Sequence, residues 1–127
     1  MNKLTVGIFG IILLAGCGSG GNGSIDPYQD PAQIAARAPE MSLAALEKSA
    51  KQAGRAIVQR REEAVKLEEQ IRTVPFREQY EKKANDLRAH ASAVQQEISR
   101  LRRLYDIYME AYLKKGGRFE RIRVPGV

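Results

Sequence analysis

Few side chains in this sequence have the chemistry that catalysis or metal binding requires. Cys17 is the only cysteine and His90 the only histidine among the 127 residues. A zinc site needs three or four such ligands, and a nucleophilic site needs a base beside its nucleophile. His90 lies beside Ala91 at the edge of an apolar helical pattern, which is typical of a structural histidine. Since nucleotide-binding and nucleophile motifs are also missing, we predict that the protein is not an enzyme and has no cofactor.

The residues before Cys17 indicate a different chemistry for its thiol. Lys3 is followed by an apolar run from Leu4 to Leu14, which is the pattern of an export signal peptide. The run is much shorter than the ~20 residues that span a bilayer as a helix, so a transmembrane anchor is the weaker interpretation. The next residues, Leu14-Ala15-Gly16-Cys17, resemble the lipobox of bacterial lipoproteins at all four positions.

The resemblance implies that a peptidase cuts between Gly16 and Cys17 and that the cysteine carries lipid. In that family a lipid is joined to the sulfur, and the new amino group usually receives an acyl chain such as palmitate. Two or three chains, at ~0.8 kcal/mol per buried methylene, hold a protein on a membrane permanently. Gly18 stands where lipoproteins retained in the inner membrane often carry Asp. In a Gram-negative host, the resemblance therefore implies the outer membrane, on its periplasmic or surface face.

Residues 17–40 have the composition of a linker. The stretch from Gly18 to Ser24 contains only Gly, Ser and Asn, which predicts a flexible tether. Further along, Asp26-Pro27 and Asp30-Pro31 each resemble a helix N-cap followed by proline at the first helical position. Residues 31–37 are therefore expected to form either a short helix or an extended segment along the surface.

From Ser42 onwards, the composition predicts an all-α domain of two long helices that span about 42–73 and 75–115. Ser42 suits an N-cap, and both segments repeat mostly apolar residues at spacings of three and four. The repeat positions are Leu43, Leu46, Ala50, Ala53, Ile57, Arg60, Ala64, Leu67, Ile71 and Val74, then Tyr80, Ala84, Leu87, Ala91, Val94, Ile98, Leu101, Tyr105, Tyr108 and Tyr112. Lys114, Lys115 and Gly116 suit the end of the second helix.

The two repeats are separated by Pro75, where their phase slips by one residue. Proline disfavours a continuous helix, and Thr73 suits the N-cap of the second helix. We therefore predict that residues 41–115 form an antiparallel, coiled-coil-like hairpin. The alternative is a kinked or extended pair of helices that completes its core by oligomerising.

A turn at Pro75-Phe76 would bring large residues opposite small ones, for example Leu101 opposite Ala50. Two helices bury only the one apolar seam between them. The free energy from this small buried area does little to offset the conformational entropy that ~70 residues lose on folding. Further apolar residues between 104 and 113 widen this seam into a band. We expect a partner protein or a second copy of the chain to cover the band.

The C-terminal tail of residues 116–127 is predicted to be basic and extended. The net charge of the chain is +6, which falls to +5 without Lys3, and residues 114–127 hold five cations against Glu120. Alternating side chains from Arg118 to Val124 suit pairing with the sheet of another protein. The alternatives are binding to anionic lipid or cell-wall polymer, and a disordered tail. Nucleic acid is not an expected partner of an exported protein.

Candidate partner contacts lie on both helices and on the tail. Arg60 interrupts the apolar repeat of the first helix, and its charge reaches either water or the carboxylate of a partner. The candidate contacts are Arg60, Tyr105, Tyr108, Tyr112, Arg118, Phe119, Arg121 and Arg123, and the lipidation site is Cys17.

These features together predict a membrane-anchored lipoprotein that is a structural or adaptor subunit, or an assembly factor, of a larger cell-envelope complex. Its expected partners are the lipid bilayer and a protein complex or a second copy. One alternative is a self-contained envelope module that binds anionic polymer or lipid through its tail. A pilotin-like escort of a secretion channel is the other.

Overall fold

The computed structural model describes residues 25–127. Cys17, the predicted signal peptide and the predicted tether therefore lie outside the described residues. Four α-helices follow one another, α1 (Pro31–Arg37), α2 (Leu43–Arg72), α3 (Lys82–Lys114) and α4 (Phe119–Ile122), with 3-10 turns at Ala38–Glu40 and Phe76–Glu78. Residues 25–127 contain no strand, and α2 packs along α3. The predicted all-α fold with two long helices is confirmed.

The N-terminal segment is helical and belongs to the folded part of the chain. Asp30 Oδ1 accepts a hydrogen bond from the Ala32 backbone N–H at 3.0 Å, and Pro31 occupies the first turn of α1. This cap satisfies a donor that would otherwise have no partner in the helix. Ile34 of α1 is buried against the long helices. The folded part therefore begins before the predicted boundary at residue 41.

The predicted start of α2 is confirmed, whereas the predicted start of α3 is wrong. Ser42 Oγ accepts a hydrogen bond from the Ala45 N–H at 3.1 Å and caps α2. Thr73 is the C-cap of α2 and does not begin the next helix. Because the chain first makes a 3-10 turn after Pro75, α3 begins only at Lys82.

Three clusters of buried apolar side chains hold the helices together. The first cluster contains Ile34, Ala38, Leu46, Ala50, Leu104, Tyr108, Tyr112 and Ile122. The second contains Ala53, Ile57, Leu101 and Tyr105, and the third contains Ala64, Leu67 and Val94. Thus α1 and α4 contribute to the first cluster, whereas the buried members of the third come from α2 and α3.

These clusters divide the described chain into two parts, a base and an arm. We call residues 25–58 and 98–127 the base, and residues 59–97 the arm. In the base, the N-terminal segment and the C-terminal tail both pack on the long helices. In the arm, the third cluster gives α2 and α3 a narrow core with few buried residues. We expect the arm to open more readily than the base.

Some residues of the predicted seam lie elsewhere in the structure. Tyr80 precedes α3 and is exposed, and Leu43 at the start of α2 is also exposed. Ala50, which the sequence placed opposite Leu101, shares a cluster with Leu104. Other predicted partners do share a cluster, as Ala53 and Ile98 do. The connection between α2 and α3 spans nine residues, where a tight turn was predicted.

The C-terminal tail folds back on the base, so its predicted extended conformation is wrong. The helix α4 buries Ile122 completely in the first cluster. Val124 lies against α2 at Gly54, where the missing side chain leaves room for it. Residues 118–124 form no strand in this structure. Ile122 and Val124 pack on apolar surface of the base, and burial of this surface stabilises the folded-back tail.

Candidate functional site

Three predicted contact residues, Tyr105, Tyr108 and Tyr112, lie inside the base. All three side chains are buried. Burial raises the pKa of the Tyr105 and Tyr108 phenols above the usual value, because a phenolate there would lose its hydration. The structure therefore places these residues in the core of the base, where they hold α3 against α2 and α1.

Arg60 lies at the start of the arm and pairs with carboxylates of its own chain. Its Nε is 3.1 Å from Glu97 Oε2, and its guanidinium also contacts Glu63. Glu63 in turn lies 3.1 Å from His90 Nε2, and Glu97 accepts a hydrogen bond from the Tyr28 hydroxyl at 3.4 Å. The network joins α2, α3 and the N-terminal segment. Since Arg60 is partly exposed, each ion pair contributes less than about 1 kcal/mol.

Four predicted contact residues lie on the surface of the tail. All of these are exposed to solvent: Arg118, Phe119, Arg121 and Arg123. Arg118 Nε is 4.0 Å from Glu120, which is a weak contact. The pKa of Glu47 is lowered mainly by its hydrogen bond from Lys51, with a smaller contribution from Arg121. Arg121 therefore lies near Glu47 in α2.

The most exposed large apolar side chains of the described chain lie at the far end of the arm. Phe76 is 83% exposed and Tyr80 is 84% exposed. Both belong to residues 73–81, which connect α2 to α3 and which we call the tip. Exposed apolar surface is common, but two aromatic rings in one short turn are characteristic of a binding surface.

Side-chain hydrogen bonds hold the backbone of the tip in one shape. Gln79 Nε2 donates to the Val74 carbonyl at 2.6 Å, which closes the turn. From α3, Arg88 donates to the Gln79 carbonyl at 2.7 Å and to Gln79 Oε1 at 2.6 Å. Asn85 Nδ2 donates to the Tyr80 carbonyl at 3.3 Å. A backbone that is already ordered loses less entropy when its side chains bind a partner.

Open grooves run beside the tip. One, with a volume of about 370 Å³, is lined in part by Val74, Pro75 and Leu87, with Glu78 and Lys83 also on its wall. A second groove of about 530 Å³ shares Leu87 and Lys83 with the first. The tip therefore presents protruding rings beside grooves that are lined by both polar and apolar side chains.

The tip has no excess of positive charge. Residues 73–81 contain Arg77 against Glu78 and Glu81, and the whole arm contains eight cations and eight acids. Long-range attraction to an anionic polymer needs an excess of cations, which the arm does not have. Exposed rings on a neutral surface favour an apolar pocket of a protein.

Sequence reasoning missed most of the tip. It assigned Tyr80 to the seam and gave no role to Phe76, Gln79 or Arg88. One signal could have found Phe76, because this residue follows Pro75 and belongs to neither apolar repeat. The hydrogen bonds of Gln79 and Arg88 join residues nine positions apart, and they exist only once the chain has turned.

The described residues offer little to a metal ion. Between residues 25 and 127, no group of three or more His, Cys, Asp or Glu side chains is arranged to hold one. In the same part of the chain, no helix has the length and apolar character needed to cross a membrane. Comparisons with family models, curated proteins and solved structures found no match to this chain. The tip is the candidate functional site because it displays two exposed aromatic rings on a backbone that side-chain hydrogen bonds hold.

Proposed function

We propose that this protein is a lipid-anchored adaptor of the cell envelope whose arm inserts its tip into an apolar pocket of a partner protein. The observation that carries the proposal is the ordered tip, in which hydrogen bonds hold the backbone while Phe76 and Tyr80 project into water. A turn with an ordered backbone binds a pocket at a lower entropic cost than a mobile one. An adaptor needs such a site at a distance from its anchor.

In this proposal the arm is part of an antiparallel helical hairpin. Leu46, early in α2, shares a cluster with Tyr112, late in α3. Leu67, late in α2, shares a cluster with Val94, which is closer to the start of α3. This order supports opposite directions for the two helices, which the tip joins.

The proposed lipid anchor rests on the N-terminal motif. The four residues Leu14-Ala15-Gly16-Cys17 follow an apolar run and match the lipobox pattern. Lipid on Cys17 would hold the base near a membrane, because only eight peptide units separate Cys17 from Ile25. The 33 residues of α3 have a length of ~50 Å, so the tip can act far from the lipid.

Photo-crosslinking in the native host tests the docking site. The photoreactive residue p-benzoylphenylalanine replaces Phe76 or Tyr80 in the full chain, and the matched control carries it at Val65, which is exposed on the arm. We expect a discrete cross-linked protein from positions 76 and 80 and none from position 65. Adding Phe76→Ser to the position-80 probe should abolish the product. The same product from all three positions, or no product at all, would contradict the docking site.

Metabolic labelling with palmitate tests the anchor separately. The wild-type chain is expected to take up the label, and Cys17→Ser is expected to remain unlabelled. An unlabelled wild-type chain would rule out the lipid anchor. The cross-linking result would still decide, independently, whether the tip is a docking site.

A further inference from the structure

One end of the base combines exposed apolar side chains with cations. Leu43 begins α2, Leu113 lies in the last turn of α3 and Phe119 begins α4, and these side chains are 41%, 41% and 46% exposed. We define the end face by these three residues together with Lys114, Lys115, Arg118 and Arg121. Since the tip joins the other ends of α2 and α3, the end face and the tip lie at opposite ends of the long helices.

Contacts between three helices bring the residues of the end face together. Ile122 of α4 packs in the same cluster as Leu46 of α2 and Tyr112 of α3. The Gly117 N–H donates to the Tyr112 carbonyl at 2.9 Å, which turns the chain back at the end of α3. Arg121, next to Ile122, therefore lies close enough to α2 to lower the pKa of the Glu47 carboxyl.

The net charge of the described chain lies entirely in the base. The base contains twelve cations and seven acids, whereas the arm contains eight of each. Around the end face, residues 113–123 hold five cations against Glu120. Lys114 lies 3.2 Å from Glu110, but both side chains are well exposed, and such a pair is weak in water. The end face is therefore the positive end of a molecule whose other end is neutral.

We propose that the end face binds the anionic headgroups of the bilayer that holds Cys17. Aromatic and aliphatic side chains beside lysine and arginine are the composition of protein surfaces that lie in a membrane interface. Each cation close to an anionic bilayer raises the affinity about fivefold. The choice of bilayer rests on the proposed lipid anchor, but the affinity of the end face does not depend on acyl chains.

The length of the chain before Ile25 agrees with this placement. The eight peptide units between Cys17 and Ile25 span at most ~29 Å. Ile25 packs against the cluster that contains Leu101, and α3 rises ~18 Å from Leu101 to Leu113. The lipid on Cys17 can therefore enter the same bilayer that the end face touches. The arm then points away from the membrane and holds the tip up to ~50 Å from it.

Sedimentation with lipid vesicles tests the end face without the acyl chains. The protein is the proposed mature chain, residues 17–127, with Cys17→Ser. The vesicles contain phosphatidylcholine alone or phosphatidylcholine mixed with anionic phosphatidylglycerol. We expect binding to the anionic vesicles at low salt, release at high salt and little binding to the neutral vesicles, because salt screens the attraction.

Two double variants separate the end face from charge in general. Arg118→Gln with Arg121→Gln removes two cations of the end face and is expected to weaken binding at least about tenfold. The matched control, Arg72→Gln with Arg77→Gln, removes two exposed cations from the arm and should leave binding unchanged. All four arginines are exposed, so both variants should fold, and thermal melting followed by circular dichroism checks this.

Three outcomes would overturn the proposal. They are equal binding to neutral and anionic vesicles, equal losses in the two double variants, and binding to a soluble anionic polymer without binding to vesicles. Each of these results is independent of the palmitate label and of the cross-links from the tip. A failure of the end face is therefore distinguishable from a failure of the proposed function.

Discussion

At the scale of single residues, the two glycines after α3 are needed for different reasons. Gly116 has a φ of +91°, the left-handed conformation that ends a helix, and the sequence predicted this. Gly117 lies outside that conformation, but a side chain there would overlap the ring of Tyr112. Gly116 is thus needed for its left-handed backbone conformation. Gly117 is needed because a larger side chain would not fit beside Tyr112.

Gly117→Ala is expected to lower the free energy of unfolding by about 2 kcal/mol, because the buried Tyr112 ring would have to move. Gly116→Ala should cost about 1 kcal/mol, since the space around it is open and only the backbone is strained. Urea unfolding followed by circular dichroism compares the two variants. Equal stabilities would show that the ring of Tyr112 shifts easily.

The buried phenols of Tyr105 and Tyr108 link stability to alkaline pH. Desolvation raises the pKa of both in the folded chain, and Asp106 adds to the effect on Tyr105. In the unfolded chain they ionise near pH ~10. The unfolded state therefore loses its protons first. Their contribution is complete below that pH and is lost as the pH rises towards the higher pKa of the folded state.

The melting temperature is accordingly expected to fall above pH ~10, in part because of these two phenols. In the double variant Tyr105→Phe with Tyr108→Phe, this fall should be smaller than in the wild type. Tyr80→Phe removes an exposed phenol and should leave the fall unchanged. Thermal melts across alkaline pH measure the three proteins, and identical pH profiles would show that burial of the phenols does not control alkaline stability.

At the scale of elements, two groups of residues differ in their role at the tip. One group holds the backbone of the turn, and the other projects into solvent. Gln79 and Arg88 hold the turn through hydrogen bonds to backbone and side-chain atoms. Phe76 and Tyr80 contribute almost no buried surface to the fold. Substitutions in the two groups should therefore have different effects on stability and on docking.

Gln79→Ala is expected to destabilise the chain by about 1 kcal/mol, because the Val74 carbonyl and the Arg88 guanidinium lose a partner. Phe76→Ser and Tyr80→Ser should each change stability by less than about 0.5 kcal/mol. Urea unfolding measures all three variants. If Phe76→Ser cost as much as Gln79→Ala, the ring would have to pack within the chain, and the tip would no longer be a displayed surface.

At the scale of the whole molecule, the base depends on both ends of the described chain. The N-terminal segment contributes Ile34 to the first cluster, and the tail contributes Ile122 to the same cluster. Together they cover parts of α2 and α3 that a two-helix hairpin would leave in water. The apolar band for which the sequence predicted a partner is therefore partly covered by the chain itself.

A chain cut after Gly117 is expected to lose about 2 to 4 kcal/mol of stability, since Ile122 and Val124 no longer cover the base. Arg118→Gln with Arg123→Gln keeps the tail but removes two exposed charges, and should leave stability within about 0.5 kcal/mol. Thermal melting followed by circular dichroism compares both with the full chain. A truncated chain as stable as the full one would show that the tail does not pack.

Predictions made from short-range patterns agree with the structure where the cause is local. Ser42 caps α2, and Gly116 turns the chain after α3. Each depends on a side chain and on backbone atoms a few residues away, so the sequence contains the whole cause. The spacing of three and four likewise predicted the two long helices, because this spacing places apolar residues on one side of a helix.

The sequence by itself thus determined the two long helices, the cap at Ser42, the turn at Gly116 and the position of the break between the long helices. The tertiary structure alone decided where α3 begins, the fold of the tail and the exposure of Tyr80. Each of these depends on which apolar surfaces, far apart in the sequence, pack against one another. In the sequence, Ile122 fits an alternating strand equally well. In the structure it is buried in the base, and this burial stabilises the helical tail.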